Sequence, residues 1–216
     1  MDLLLAGGTG LVGGEFLMQG LEAGHRVISV GRRPTGKASQ EIVSGFSELP
    51  DLPAADAALC ALGTTIRQAG SRAAFRDVDY SAVMDFATAA RNADINHFLV
   101  VTAVGARAES SVFYSRIKGE LERALQTLGF SRLDIIRPGL LLGNRKESRP
   151  VESLLQRIAP ISDRIMRGDW RRYHSIQARQ VAHCLLALTS QTVPGVFIHH
   201  YDDIKTLLEP PTDGIT

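Results

Sequence analysis

Tyr114-Ser115-Arg116-Ile117-Lys118 sets a phenol and an ammonium four residues apart. On a helix the two share one face. A free phenol titrates near ~10 and exchanges protons poorly at neutral pH. A neighbouring ammonium favours the phenolate and draws that value down. Such a pair could pass a proton to a carbonyl or take one from an alcohol. Thr102, twelve positions before Tyr114, could polarise the same carbonyl, with Ser110 and Ser111 as alternatives.

A second constellation lies at the start of the chain. Gly7-Gly8-Thr9-Gly10-Leu11-Val12-Gly13 follows the apolar run Leu3-Leu4-Leu5-Ala6 and precedes a helical pattern. Glycines at 7, 10 and 13 have the spacing of a dinucleotide loop. Gly7 allows the tight turn, Gly10 the approach to a pyrophosphate, and Gly13 the packing of helix on sheet. The helix start then offers free N–H groups and a positive dipole end. Sites that prefer NAD place an acid near the end of the second strand. Here that place reads Val30-Gly31-Arg32-Arg33-Pro34. Arginine forks onto phosphate and stacks on adenine, so NADPH/NADP is expected ahead of NAD.

The elements that must position these groups alternate. Strands are expected at 3–6, 26–30, 40–46, 56–62, 98–102, 133–136 and 196–198. Helical patterns run over 11–23, 72–92, 111–128, 152–158 and 178–189. Alternation of this kind predicts an α/β, Rossmann-type doubly wound parallel sheet with helices on both faces. That arrangement brings Tyr114 and Lys118 to the carboxyl ends of the strands.

Composition sets the outer limits. The 216 residues are 44% hydrophobic and 22% charged, which argues for one folded domain and against disorder. Residues 1–216 are read as a single domain, with about 140–216 forming a small C-terminal substrate or lid region. Lys+Arg 24 against Asp+Glu 23 excludes a general polyanion binder. Cys60 and Cys184 read as buried reduced thiols, with no metal site. No apolar run reaches membrane-spanning length, and the first residues do not form a signal peptide. A cytoplasmic protein is expected.

The stretch from Asn144 to Arg179 holds nine Arg/Lys against four Asp/Glu, with Trp170 and Tyr173 among them. A solvated surface is the first reading and an anionic small-molecule substrate the second. Nucleic acid ranks last because the whole chain is nearly neutral.

Together these residues resemble the atypical branch of the short-chain dehydrogenase/reductase superfamily. Closer still, the chain looks like the Tat-interacting-protein-type NADPH-binding oxidoreductases and their bacterial relatives. The resemblance is carried by Gly7 to Gly13, Gly31-Arg32-Arg33, Leu62-Gly63-Thr64-Thr65, Val78-Asp79-Tyr80, His97-Phe98 and Tyr114 to Glu120. Arg137-Pro138-Gly139-Leu140-Leu141-Leu142 and Glu147-Ser148-Arg149-Pro150 complete it. It implies Thr9 to Val12 on the pyrophosphate, Arg32 and Arg33 on the 2′-phosphate, and Gly63 and Thr64 along the cofactor. It further implies Tyr114 as acid/base, Lys118 on ribose, and Leu141 and Arg149 near the cofactor or pocket. Two departures stand out. Ser44-Gly45-Phe46 occupies the place of an acid near the adenine, and a threonine stands for the usual serine. The expected activity is hydride transfer to or from a small carbonyl or alcohol. A non-catalytic NADPH-binding sensor with a protein partner and a nucleotide-sugar epimerase-like enzyme are the alternatives. The helices over 72–92 and 111–128 offer homodimer faces by family analogy.

Overall fold

A computed structural model describes residues 1–143 and 168–208. Its elements run β1 (Asp2–Ala6), α1 (Leu11–Glu22), β2 (Arg26–Gly31), β3 (Gln40–Val43) and β4 (Ala57–Cys60). Next come α2 (Ile66–Ala69), α3 (Arg72–Arg76), α4 (Ala82–Asn92), β5 (His97–Val101), α5 (Phe113–Gln126), β6 (Arg132–Ile136) and β7 (Leu141–Leu142). After 167 follow β8 (Ile176–Gln177), α6 (Ala178–Leu188), β9 (Gly195–His199) and α7 (Tyr201–Leu208).

Seven strands form one parallel sheet in the order β3-β2-β1-β4-β5-β6-β9. Successive side chains alternate between its faces, and both faces are covered. Leu3, Leu5, Val27, Leu59 and Leu99 pack with Phe16 and Leu17 of α1 and Val181 and Leu185 of α6. Leu4, Ile28, Ala58, Phe98 and Ile135 pack with Phe86 of α4 and Leu121 and Leu125 of α5. Burial on both sides is why these strands read as unbroken apolar runs. The strand order reverses between β1 and β4, which opens a crevice at their carboxyl ends.

The chain from Arg72 to Asn92 is one helical run, as its periodicity predicts, with one difference. Asp77–Ser81 forms a π turn between α3 and α4. Such a turn takes in one extra residue and is frequent at functional sites. Two short helices, α2 and α7, lie where the sequence reading has none. Residues 176–208 build into the domain itself: β9 extends the sheet beyond β6, and α6 packs beside α1. The pattern at 152–158 and most of the basic stretch lie outside the described residues.

One polar cluster lies inside this apolar frame. The fully buried Asp134 of β6 accepts from His97 Nε2 of β5 at 2.8 Å and His199 Nε2 of β9 at 2.7 Å. Arg132 forks onto it at 2.6 and 2.9 Å, and reaches the Val193 carbonyl at 2.8 Å. A carboxylate only accepts, so each imidazole presents Nε2–H. Burial opposes the Asp134 charge, but the bonds from His199, His97 and Arg132 prevail. They hold its carboxyl well below the usual carboxylate range. Asp134→Ala would leave Arg132 buried without its counter-charge and should cost about 3–5 kcal/mol, read from urea unfolding. The folded-state value lies below the unfolded one. The loss should therefore stand in full above about pH 4 and shrink as acid protonates Asp134.

Candidate functional site

The glycine loop has the geometry its spacing predicts. Gly7 adopts φ +92°, and a Cβ there would lie 2.7 Å from the Ala61 carbonyl carbon. A Cβ on Gly13 would come within 2.2 Å of the Gly7 carbonyl oxygen. Helix α1 therefore seats directly on the loop. Gly10 precedes α1 in extended conformation, and no side chain caps the helix. Its first N–H groups are left for an outside acceptor.

The cleft above the loop is lined by Gly7 to Thr9, Ser29 to Arg33, Phe46 and Leu62. Arg32 and Arg33 stand exposed at the end of β2. The segment after them is fixed by Glu41, whose carboxylate accepts from Thr35 N at 3.0 Å, Thr35 Oγ1 at 2.5 Å and Gly36 N at 3.0 Å. Side-chain-free backbone, an uncapped helix start and two guanidiniums fit a phosphorylated dinucleotide. Phe46, in the Ser44-Gly45-Phe46 stretch, walls the cleft. Leu11 and Val12 begin α1 at the same loop. A Cβ on Gly143 would lie 2.8 Å from Leu11, so the segment that carries Leu141 packs beside the start of α1. Arg149 lies outside the described residues.

On α5, Tyr114 and Lys118 share a face, and a third residue joins them. Lys118 Nζ lies 2.7 Å from Asp79 Oδ1, with both side chains nearly dry at 3% and 1% exposed. Asp79 Oδ2 accepts from Thr64 N–H at 2.8 Å. The π turn aims Asp79 at this point, and Gly63 lies against the pair. Thus the Gly63-Thr64 strand end, the π turn and α5 meet in one ion pair. Val78-Asp79-Tyr80 contributes to the sequence resemblance, but the role of Asp79 is visible only in three dimensions.

This pair corrects the expectation for Tyr114. Burial pushes the phenol up, and Asp79 adds to that rise while Lys118 works against it. Lys118 is no free cation. Burial opposes its charge, yet Asp79 and Tyr114 hold its pKa above the ordinary lysine value. The phenol is therefore a protonated donor at neutral pH rather than a ready phenolate. Its ring packs against Phe75 at 5.5 Å. Cys60 lies beneath, its thiol pushed up to about 12 by burial.

Thr102 is placed differently from its expected role. Its hydroxyl donates to Glu122 Oε1 at 2.6 Å inside the protein. Arg137 forks onto the same carboxylate, with Nε 3.0 Å from Oε1 and Nη2 on Oε2. A hydroxyl so engaged does not face a carbonyl. Ser110 Oγ accepts from Val112 N at 3.1 Å at the start of α5, and Ser111 is exposed. Glu122 continues the Tyr114–Lys118 spacing by one more turn, a signal present in the sequence but not read.

The HIM1 family model matches residues 29–166. The protein named fmp52, mitochondrial, of Aspergillus fumigatus is 33% identical over 213 residues, covering 90% of this chain and 91% of that one. Protein HTATIP2 of Rattus norvegicus is 36% identical over 138 residues, 62% of this chain and 56% of that one. Among solved structures, human epimerase family protein SDR39U1 (isoform 2) with NADPH superposes with a TM-score of 0.67 at 21% identity. The match covers 93% of this chain and 74% of that one. Several fungal relatives carry mitochondrial in their names, which overturns the expectation of a cytoplasmic protein.

The ion pair makes a direct prediction. Asp79→Asn removes a charge that raises both neighbours, so the pKa values of Tyr114 and Lys118 should both fall. Tyrosinate absorbance, titrated against the same variant carrying Tyr114→Phe, isolates the Tyr114 step. An unmoved midpoint in a folded variant would show that Asp79 does not govern it.

Proposed function

The chain belongs to the HIM1 family, within an atypical short-chain dehydrogenase/reductase-like superfamily, and from that premise we propose an NADPH-dependent carbonyl reductase. The observation that carries this reading is Tyr114 on the same helix face as the buried Lys118–Asp79 pair, at the carboxyl ends of a doubly wound sheet. When bound, NADPH supplies the hydride. Thr9 to Val12 would hold its pyrophosphate, and Arg32 and Arg33 its 2′-phosphate. Tyr114 Oη gives its proton to the carbonyl oxygen. The raised phenol pKa suits that direction, since the group stays protonated until the oxygen gains charge. Lys118 stabilises the phenolate that results, and Asp79 keeps the ammonium charged and in place. With Asp79 in contact, Lys118 has less capacity to turn toward ribose than the resemblance implies. The fungal relatives' names support a mitochondrial setting.

A second reading is favoured by one observation. The Thr102 hydroxyl is engaged with Glu122, so the expected carbonyl-polarising group is elsewhere. A protein that binds NADPH and signals its redox state through a protein partner needs no such group.

Calorimetric titration with NADPH and NADH tests the shared premise. Wild type should bind NADPH more tightly. Arg32→Ala with Arg33→Ala should lose about 100-fold or more in NADPH affinity, as expected for ~1.5–3 kcal/mol from each of two charge-assisted bonds, and little for NADH. Equal binding of both nucleotides would sink the cofactor assignment. On a panel of aldehydes, ketones and quinones, Tyr114→Phe should abolish oxidation of NADPH at unchanged cofactor affinity. Turnover that survives this change would remove Tyr114 from the mechanism. Tight NADPH binding with no turnover by wild type on any panel member would favour the sensor.

A further inference from the structure

The far side of α5 carries a cleft that shares no residue with the nucleotide site. It encloses about 280 Å³ between the loop after β5, α5 and the end of β6. Loop and helix meet closely, since a Cβ on Gly119 would lie 2.2 Å from Ala108 N. Three guanidiniums from three elements face this space: Arg107, Arg123 and Arg137. Arg107 and Arg123 are on the rim, with side chains 74% and 69% exposed. Arg137 forms the floor at 20% exposed.

Two carboxylates accompany them. Glu122 is 4% exposed and already holds Thr102 and Arg137. Glu109, on the rim, pairs with Arg123 and lies 4.0 Å from Arg107. The lining thus keeps one positive charge in excess. The Arg137 fork uses Nε and Nη2, and Nη1 bonds no described residue. The guanidinium is held along one edge by Glu122 and lines the cleft, and such a group suits carboxylate or phosphate.

We infer that this cleft is a second binding site, for a small anion with at least two carboxylate or phosphate groups. One group sits on Arg137 at the floor. The other replaces Glu109 between Arg107 and Arg123. The volume lies just below the ~300–1,000 Å³ range of ligand sites, which suits a small, citrate-sized molecule. Arg137 is tied through Glu122 to Thr102, so an anion here would pull on the carboxyl ends of β5 and β6.

The test uses citrate and pyrophosphate, added at fixed ionic strength to the ¹⁵N-labelled protein. Saturable shifts of the Ala108 and Gly119 amides are expected, absent with matched sodium chloride. Arg107→Ala and Arg123→Ala should each weaken binding about tenfold or more, the effect of one charge-assisted bond. Glu109→Gln should tighten it by removing the internal competitor, and Arg33→Ala should leave it unchanged. A response to citrate alone assigns polycarboxylates, and to pyrophosphate alone phosphates. Non-saturating shifts, or saturable binding indifferent to Arg107 and Arg123, would overturn the site. Loss in Arg33→Ala alone would assign the anion to the nucleotide cleft. None of these outcomes depends on catalysis.

Discussion

Lys118 and Asp79 face each other where water is almost absent. Two charges in that position cost several kcal/mol each to desolvate, and only close mutual contact with further hydrogen bonding offsets the cost. Each surrounding feature serves that contact. The π turn turns Asp79 inward, the Thr64 amide binds its second oxygen, and Gly63 leaves room above it. The pair ties the end of β4 to the helix that carries Tyr114. Removal of either member would strand the other. The phenol is therefore placed by a salt bridge that need not touch substrate.

The same economy of contact governs the sheet. Parallel strands covered on both faces leave few places for charge, and this chain gathers it into three buried clusters. Lys118–Asp79 lies on the α5 side, Glu122–Arg137–Thr102 further along that helix, and Asp134 with Arg132 and two histidines on the opposite face. Each carboxylate answers to donors from different elements, so each fixes the position of one element against another. Apolar packing provides most of the driving force, at roughly 1.5–3 kcal/mol per large side chain buried. It does not specify which helix turn faces which strand end; the buried pairs do.

The sheet, its covering helices and the glycine loop were legible in the sequence because each rests on local pattern. Leu3 to Ala6 runs apolar into Gly7, and Phe98 to Thr102 is an unbroken β-branched and apolar run ahead of Gly105. The arginines at 32 and 33 were equally legible, since their place follows from the end of a strand. The fate of the charges was not. Asp79 reads as one of several acids on a helix, and its meaning depends on Lys118 lying across from it. Thr102 sits at the right distance along the chain to polarise a carbonyl, yet Glu122, on another element, holds its hydroxyl. Asp134 looks misplaced inside Leu133-Asp134-Ile135 until His97, Arg132 and His199 surround it. The small helix Tyr201–Leu208 does carry an apolar stripe, Tyr201, Ile204, Leu207 and Leu208, but it is only eight residues long and follows directly on β9, too short to stand out by pattern.

The π turn at Asp77–Ser81 has a consequence for how this chain can change length. It is a one-residue surplus within an otherwise regular helical run. Removing any single residue there would restore an ordinary helix, with a better local ladder of hydrogen bonds. Because the surplus is absorbed within the turn, α3 and α4 would keep their relative phase and Phe75 its place on the Tyr114 ring, while Asp79, inside the turn, would lose its aim at Lys118. A deletion that improves the helix would dismantle the site, so the irregularity is the part of this segment that shortening cannot spare.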